Sequence, residues 1–265
     1  MEFPSPHVNP PRGSHSHTVI LLHGRGSNGP EFAEELFSST TSQGQSLAAR
    51  LPTYRWVFPT SSNRWSTTFQ EEMCAWFDVY SITDTHARQE LQTDGLRESV
   101  LHVLDILEDE ARLLDGQFSR IYLGCISQGM ATALWALFGA IGTGRVQGAL
   151  GGLLGFCGWL PFAQQLDDLL SEHQNLGGSQ ILRLVSGFFF DTIAGLAVPQ
   201  AKTPADPSIL STPAARIFRQ IMMRVEWNEF TGAEGDGHWI KEPDGFDQIV
   251  QFLETPVRQS SEAAG

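Results

Sequence analysis

Apolar residues along the chain follow two kinds of pattern. Between positions 96 and 114, Leu96, Val100, Val103, Leu104, Leu107, Ala111 and Leu114 recur at spacings of three and four, with Glu98, His102, Asp105 and Asp109 largely between them. That spacing gathers the apolar side chains on one stripe of a helix, and it predicts an amphipathic helix closed by Gly116. Elsewhere the apolar residues come as short runs bounded by glycine, proline or polar clusters, at 18–22, 54–58, 120–124, 146–156, 180–186 and 224–230. Runs of this length read as buried strands. Further helices are expected over the first half of 31–50 and over 128–140, 164–170 and 244–253.

Short apolar strands alternating with helices imply parallel βαβ units, with helices on both faces of one sheet. Residues 60–80 are rich in Ser, Thr and aromatics without a clear period, so they read as a long loop of the kind that forms lids or binding loops. The longest apolar stretch, 130–162, is broken by Arg145 and Gln147 among glycines. A membrane span needs about 20 mostly apolar residues without such a break, so the stretch reads as a buried helix, a turn and a buried strand. The expected organisation is a flexible N-terminal arm over 1–17, one α/β domain over 18–254 and a polar tail over 255–265. No internal repeat is evident.

Charge and cysteine usage narrow the function classes. A net charge of −13 would repel nucleic acid and anionic membranes. Three cysteines, Cys74, Cys125 and Cys157, have neither paired spacing nor an even count, which fits a reducing compartment. The Pro-, Ser- and His-rich N-terminus lacks the apolar core of a signal peptide. His7, His15 and His17 in that arm are read as flexible-segment residues, not metal ligands. His86, His102 and His173 are read as surface residues.

The chemistry concentrates in three segments. In Arg120-Ile-Tyr-Leu-Gly-Cys-Ile-Ser127-Gln-Gly-Met, a strand runs into a tight turn carrying a serine and then into a helix. A serine hydroxyl needs a neighbouring base to become a nucleophile. A sharp strand-to-helix turn lifts it clear of the sheet, and the helix start aims free N–H groups at developing negative charge. The usual Gly-x-Ser-x-Gly pattern is altered, with Cys125 in place of its first glycine and Gly124 just before. Cys125 is read as a small buried residue. The second segment, His23-Gly-Arg-Gly26, follows the first strand, where a fold with a serine on a strand-to-helix turn can donate one oxyanion N–H from the loop after an early strand. The residue after the nucleophile donates the other, so the backbone amides of Arg25 and Gln128 are nominated, with His23 holding the loop. The third segment, Gly232-Ala-Glu-Gly-Asp-Gly-His238-Trp, is a glycine-rich loop after the last expected strand, and it carries a histidine able to serve as general base.

The acid that would orient His238 must lie between Ser127 and His238, where Asp167, Asp168, Asp191, Asp206 and Asp236 are candidates. Asp167 and Asp168 belong to a helix, Asp206 to a Pro-rich segment, and Asp236 is close to His238 in sequence. Asp191 follows the expected strand at 180–186 and is preferred.

With these residues in place, the chain resembles the acyl-protein thioesterases, or phospholipase/carboxylesterase hydrolases, of the α/β-hydrolase fold. The matching stretches are Leu22-His-Gly-Arg-Gly26, Ala75-Trp-Phe-Asp78, Ser127-Gln-Gly129, Gly158-Trp-Leu-Pro161 and Gly237-His-Trp239, in the family's order. Residues 232–246 are similar to fungal members. The resemblance implies a cytoplasmic serine esterase or thioesterase needing no metal or cofactor. Its substrates would be small or acyl-chain esters and thioesters, S-acylated proteins among them. It implies Ser127, Asp191 and His238 as the triad, Arg25 and Gln128 at the oxyanion hole, and Trp76 and Trp159 near the acyl site or in the core.

The chain departs from the family at the elbow and at the acid, where Ser186-Gly-Phe-Phe-Phe-Asp191 is one residue longer than usual and a Pro-rich insertion follows at 198–213. Phe188, Phe189 and Phe190 would line an apolar acyl pocket or be buried. These departures keep two alternatives open: a diverged tailoring enzyme that releases, cyclises, dehydrates or transfers an acyl group, and a non-catalytic binding module on the same fold.

Overall fold

In the computed structural model, residues 2–81, 83–173, 178–189, 191, 233 and 238–255 are described. A sheet is built from β1 (His7–Asn9), β2 (His17–Leu22), β3 (Tyr54–Phe58), β6 (Ile121–Ile126) and β7 (Gly152–Phe156), in the order β1-β3-β2-β6-β7. Strands β3, β2, β6 and β7 run parallel, and β1 lies antiparallel along β3. The helices are α1 (Gly29–Ser38), α2 (Leu47–Arg50), α3 (Thr93–Leu113), α4 (Gln128–Thr143), α5 (Ala163–Glu172), α6 (Gly178–Phe188) and α7 (Asp244–Glu254). This is the expected α/β-hydrolase architecture.

The central strands carry apolar residues on both faces because both faces are covered. Ile20, Leu22, Val57, Ile121, Leu123 and Cys125 face a core shared with α3, α4, α5 and α6. Their neighbours Val19, Leu21, Trp56, Phe58, Tyr122 and Ile126 face a second core with α1, α2 and α7. Successive strand residues point to opposite faces, so a strand buried on both sides loses its polar alternation and reads as an unbroken run.

Five expectations are corrected. The N-terminal segment is no free arm: Val8 registers with Val57 in β1–β3, and Phe3 stacks on His102 with ring centroids 4.1 Å apart. His102, expected on the surface, is therefore half-buried on α3. Residues 60–80 hold a two-stranded hairpin, β4 (Asn63–Ser66) with β5 (Glu71–Cys74), rather than an irregular loop. Residues 180–186 are helical: Ile181, Val185 and Phe189 fall four apart and are buried together, a helical and not a strand period. Finally, β7 begins at Gly152 and is only half-covered by the described residues. The strand expected at 224–230, the Pro-rich segment at 198–213 and residues 256–265 of the tail lie outside the described residues.

Candidate active site

Ser127 sits between β6 and α4 with φ 54° and ψ −123°, a left-handed backbone conformation that disfavours any side chain. Such strain persists only where the surroundings over-determine it. Here the Ser127 N–H donates to the Phe156 carbonyl at 2.9 Å, and the Ser127 carbonyl accepts from Met130 N–H at 3.0 Å. Gly129 lets α4 begin this close to the sheet, since a Cβ there would lie 2.4 Å from the Leu22 carbonyl oxygen and 2.6 Å from that of His23. The altered elbow position, Cys125, turns its side chain into the α3–α4 core and donates to the Leu154 carbonyl at 3.2 Å. Burial pushes its thiol far up, so it is a packing residue.

The loop 23–26 is tied down from behind. The His23 ring is fully buried; Nε2 accepts from Ser61 N–H at 3.0 Å, which leaves the proton on Nδ1 to donate to the Gly24 carbonyl at 2.6 Å. Burial drives its pKa down to about 4, so the neutral ring is the form this geometry requires. His23 therefore holds the loop, as its sequence position suggested. Gly26 N–H donates to the Cys74 carbonyl at 2.8 Å, and Trp76 Nε1 donates to the His23 carbonyl at 2.8 Å.

The side chain of Gln128 is buried and grips the same 75–78 segment: Oε1 accepts from Trp76 N–H at 3.0 Å, and Nε2 donates to the Phe77 carbonyl at 2.7 Å. Ser99 Oγ donates to the Trp76 carbonyl at 2.5 Å, and Arg64 Nε to the Ala75 carbonyl at 3.0 Å. Asp78 accepts from the Thr67 N–H and hydroxyl, which anchors the hairpin turn. The Ala-Trp-Phe-Asp motif is thus a brace joining the loop, the elbow and the hairpin. None of these roles was readable from the motif's letters, which carry no partner information.

Above the strand ends lies a cavity of about 570 Å³ lined by, among others, Arg25, Ser127, Gln128, Cys157, Trp159 and His238. The nominated nucleophile, base, both oxyanion-hole residues and Trp159 therefore meet at one place. His238 is exposed there, and the chain after it is fastened to the α1 side. Trp239 packs edge-on against Phe32 at 6.0 Å, Glu242 Oε1 accepts from Thr40 N–H at 2.7 Å, and Asp247 Oδ1 accepts from Ser42 N–H at 3.0 Å.

Two nominated residues are placed elsewhere. Trp76 is fully buried behind the loop and is absent from the described cavity lining. Asp191 is exposed just beyond α6, a helix where a strand was expected, and it is not among the described cavity residues. Phe188 and Phe189 stack on Trp135 within the core. Asp206 and Asp236 lie outside the described residues, and Asp167 and Asp168 are on α5. Among the described residues, no cluster of three or more His, Cys, Asp or Glu side chains is arranged to hold a metal ion. Nor is any helix among them long and apolar enough to cross a membrane.

Comparison with known proteins agrees with this geometry. Residues 4–177 match the family model described as phospholipase/carboxylesterase. Acyl-protein thioesterase 1 of Yarrowia lipolytica is 29% identical over 180 residues, covering 67% of this chain and 71% of the relative. Acyl-protein thioesterase 1 of Schizosaccharomyces pombe is 25% identical over 249 residues, covering 93% and 94%. Among solved structures, acyl-protein thioesterase 2 of Zea mays superposes with a TM-score of 0.56 at 23% identity, covering 94% of this chain and 96% of that one, which speaks to the fold. The serine at a strained strand-to-helix turn, the braced loop beside it and the match over 4–177 make this chain a member of the phospholipase/carboxylesterase family.

Proposed function

We propose that the protein hydrolyses carboxylic esters or thioesters of acyl groups through an acyl-serine intermediate on Ser127. The observation that carries the reading is the convergence of Ser127, His238, Arg25 and Gln128 on one cavity, with the serine held at positive φ. Ser127 Oγ attacks the acyl carbonyl carbon while the imidazole of His238 takes its proton. The oxygen of the tetrahedral intermediate carries the charge, and the Arg25 and Gln128 N–H groups stabilise it. Collapse expels the alcohol or thiol, which leaves with the proton from His238. Water, deprotonated by the same imidazole, then releases the acid.

Hydrogen-bond donors at an oxyanion hole are each worth on the order of 10²–10³ in rate, and only when held in place beforehand. The brace from Gln128 and Trp76 to His23 supports such preorganisation. The acyl-protein thioesterase names of the relatives favour thioesters of acylated proteins as substrates and hydrolysis over the tailoring and binding alternatives. The cysteines, none of them in a disulfide, support a cytoplasmic setting.

A fluorophosphonate probe tests the reading directly. It is expected to label Ser127, with labelling abolished in Ser127→Ala and turnover of an acyl thioester lowered by about 10⁴-fold or more. Folded protein that neither takes the probe nor turns over the thioester would refute it. Asp191 is proposed as the carboxylate that orients His238, and Asp191→Asn is then expected to cost up to about 10⁴-fold in kcat. A near-normal rate would move that role to Asp206 or Asp236.

A further inference from the structure

Residues 2–9 reach the brace of the active site from the edge of the sheet. Strand β1 registers against β3, and the four residues before it, Phe3-Pro-Ser-Pro6, carry two prolines. Proline fixes φ, so ordering this stretch costs less entropy than ordering a free chain. Four such residues span about 12 Å. The span ends on Phe3, which is half-buried. Its ring stacks on His102 of α3, with centroids 4.1 Å apart and planes 11° from parallel. The same ring faces the Arg64 guanidinium of β4, whose carbon lies 6.0 Å from the ring centroid. Phe3 thus bridges α3 and the hairpin.

Arg64 is where this strap meets the brace. Its side chain is only 8% exposed; Nε donates to the Ala75 carbonyl at 3.0 Å, and Nη1 lies 3.0 Å from Glu98 Oε2. Gly95 lets α3 begin this close, since a Cβ there would lie 3.1 Å from Arg64 Nη1 and 2.7 Å from Phe77 Cα. A guanidinium holds a carbonyl and a carboxylate most firmly where water does not compete for its donors, and an aromatic face over it adds a weak attraction of its own. The residue after Ala75 is Trp76, whose N–H and Nε1 grip Gln128 Oε1 and the His23 carbonyl.

We infer that Phe3 is a positioning residue for the hydrolytic site: by covering Arg64 it keeps residues 75–78, and through them the loop that carries the Arg25 N–H, in the arrangement an oxyanion hole requires. Its effect on rate rests on the acyl-serine reading of the cavity; its effect on the brace does not. Phe3 is absent from the described cavity lining, so its loss removes no substrate contact. A donor that strengthens only in the transition state, when loosened, lowers kcat and leaves KM alone.

The full chain carrying Phe3→Ala tests this, beside Phe3→Tyr, which keeps the ring. The control is Tyr54→Phe at the start of β3, which loses the hydrogen bond from Tyr54 Oη to the Leu253 carbonyl at 2.8 Å. In Phe3→Ala, amide exchange is expected to quicken about tenfold at Trp76 and at Gly26, whose N–H donates to the Cys74 carbonyl, while the amides of β6 keep their wild-type rates. Turnover of an acyl thioester should lose about three- to tenfold in kcat at unaltered KM. Phe3→Tyr should restore both readouts, and Tyr54→Phe should leave both as in wild type. Arg64→Lys should cost more in kcat, and Phe3→Ala added to it little further, because both act through one guanidinium. Should Phe3→Ala fail to fold, Phe3→Leu keeps the bulk without the flat face and is expected to show the same pattern at about threefold. Unchanged exchange at Trp76 and Gly26, a quickening shared equally by β6, or additive losses in kcat would each overturn the inference. If the fluorophosphonate probe labels Ser127 and the exchange is unchanged, the role of Phe3 alone falls. If the exchange quickens as expected but wild-type protein neither takes the probe nor turns over the thioester, the acyl-serine reading falls and the strap stands.

Discussion

Cys157 follows β7 in a left-handed conformation, with φ 47°, and its exposed side chain lines the same cavity as Ser127. Its surroundings push the thiol above the usual range, so thiolate is scarce at neutral pH and alkylation should still be accelerating beyond about pH 8.5. Cys125 is sealed in the core with its thiol pushed up much further, and Cys74 is half-buried with its thiol donating to the Ser61 carbonyl at 3.3 Å. Iodoacetamide at mildly alkaline pH is therefore expected to modify Cys157 first, as followed by peptide mass mapping. The adduct would displace the acyl group from Ser127, and misplacement of about 1 Å already costs on the order of 10²-fold. Ester hydrolysis should fall accordingly, with Cys157→Ser protected. Full activity after complete modification of Cys157 would contradict its placement beside the nucleophile.

At the scale of elements, the site depends on a brace that crosses the chain four times: the loop 23–26, the hairpin, the start of α3 and the start of α4. Trp76 is its centre. Trp76→Phe keeps most of the ring but leaves the buried His23 carbonyl without its donor, a loss of about 1–2 kcal/mol in stability by urea titration. Because the loop carries a proposed oxyanion donor, kcat is expected to fall by about ten- to a hundredfold while KM changes little. A KM effect alone would instead make Trp76 a substrate contact.

Much of this architecture was legible because burial leaves a period in the sequence. The three-and-four stripe from Leu96 to Leu114 became α3, and the runs at 18–22, 54–58 and 120–124 became β2, β3 and β6. The hairpin was not legible for local reasons: its strands have four residues each, Trp65 points to solvent, and Gln70 rather than glycine takes the left-handed turn position. The three residues of β1 are too few to show any alternation. At 180–188 a dense apolar run masked the four-residue spacing of Ile181, Val185 and Phe189, so the proposed acid Asp191 follows a helix and not the strand from which it was chosen. The placement of Ser127, His238 and the loop at 23–26 around one cavity was readable because strand-turn-helix and glycine-loop signals are local. The partners of Trp76 and Phe3 are distant in sequence and left no such trace.

For the whole molecule, the buried ring of His23 links the stability of the fold to pH. Its pKa is about 4 in the folded chain against about 6.5 when unfolded. Above pH 6.5 both states are neutral there, and the group makes no difference. Between pH 6.5 and 4 the unfolded chain takes up a proton that the folded chain refuses, so stability falls with pH, by about 3 kcal/mol across the full interval. Below pH 4 the folded state is protonated as well and the loss levels off. His15, His17 and His102 are also lowered by burial and add to the slope in the same direction. Relief of the net negative charge works the other way, because acid reduces self-repulsion in a chain that carries −13. The contribution of His23 is therefore the difference between two proteins. Urea unfolding of wild type and His23→Asn between about pH 7.5 and 4.5 should find the variant less stable at the upper end, where Ser61 N–H and the Gly24 carbonyl lose their partner. Its decline toward acid should be shallower by about 1 kcal/mol per pH unit. Parallel declines would mean that the ring is free to take up a proton in the folded state. The loop would then not be held by a neutral imidazole, and the brace behind the proposed oxyanion hole would rest on its other contacts, those of Trp76 and Gln128 foremost.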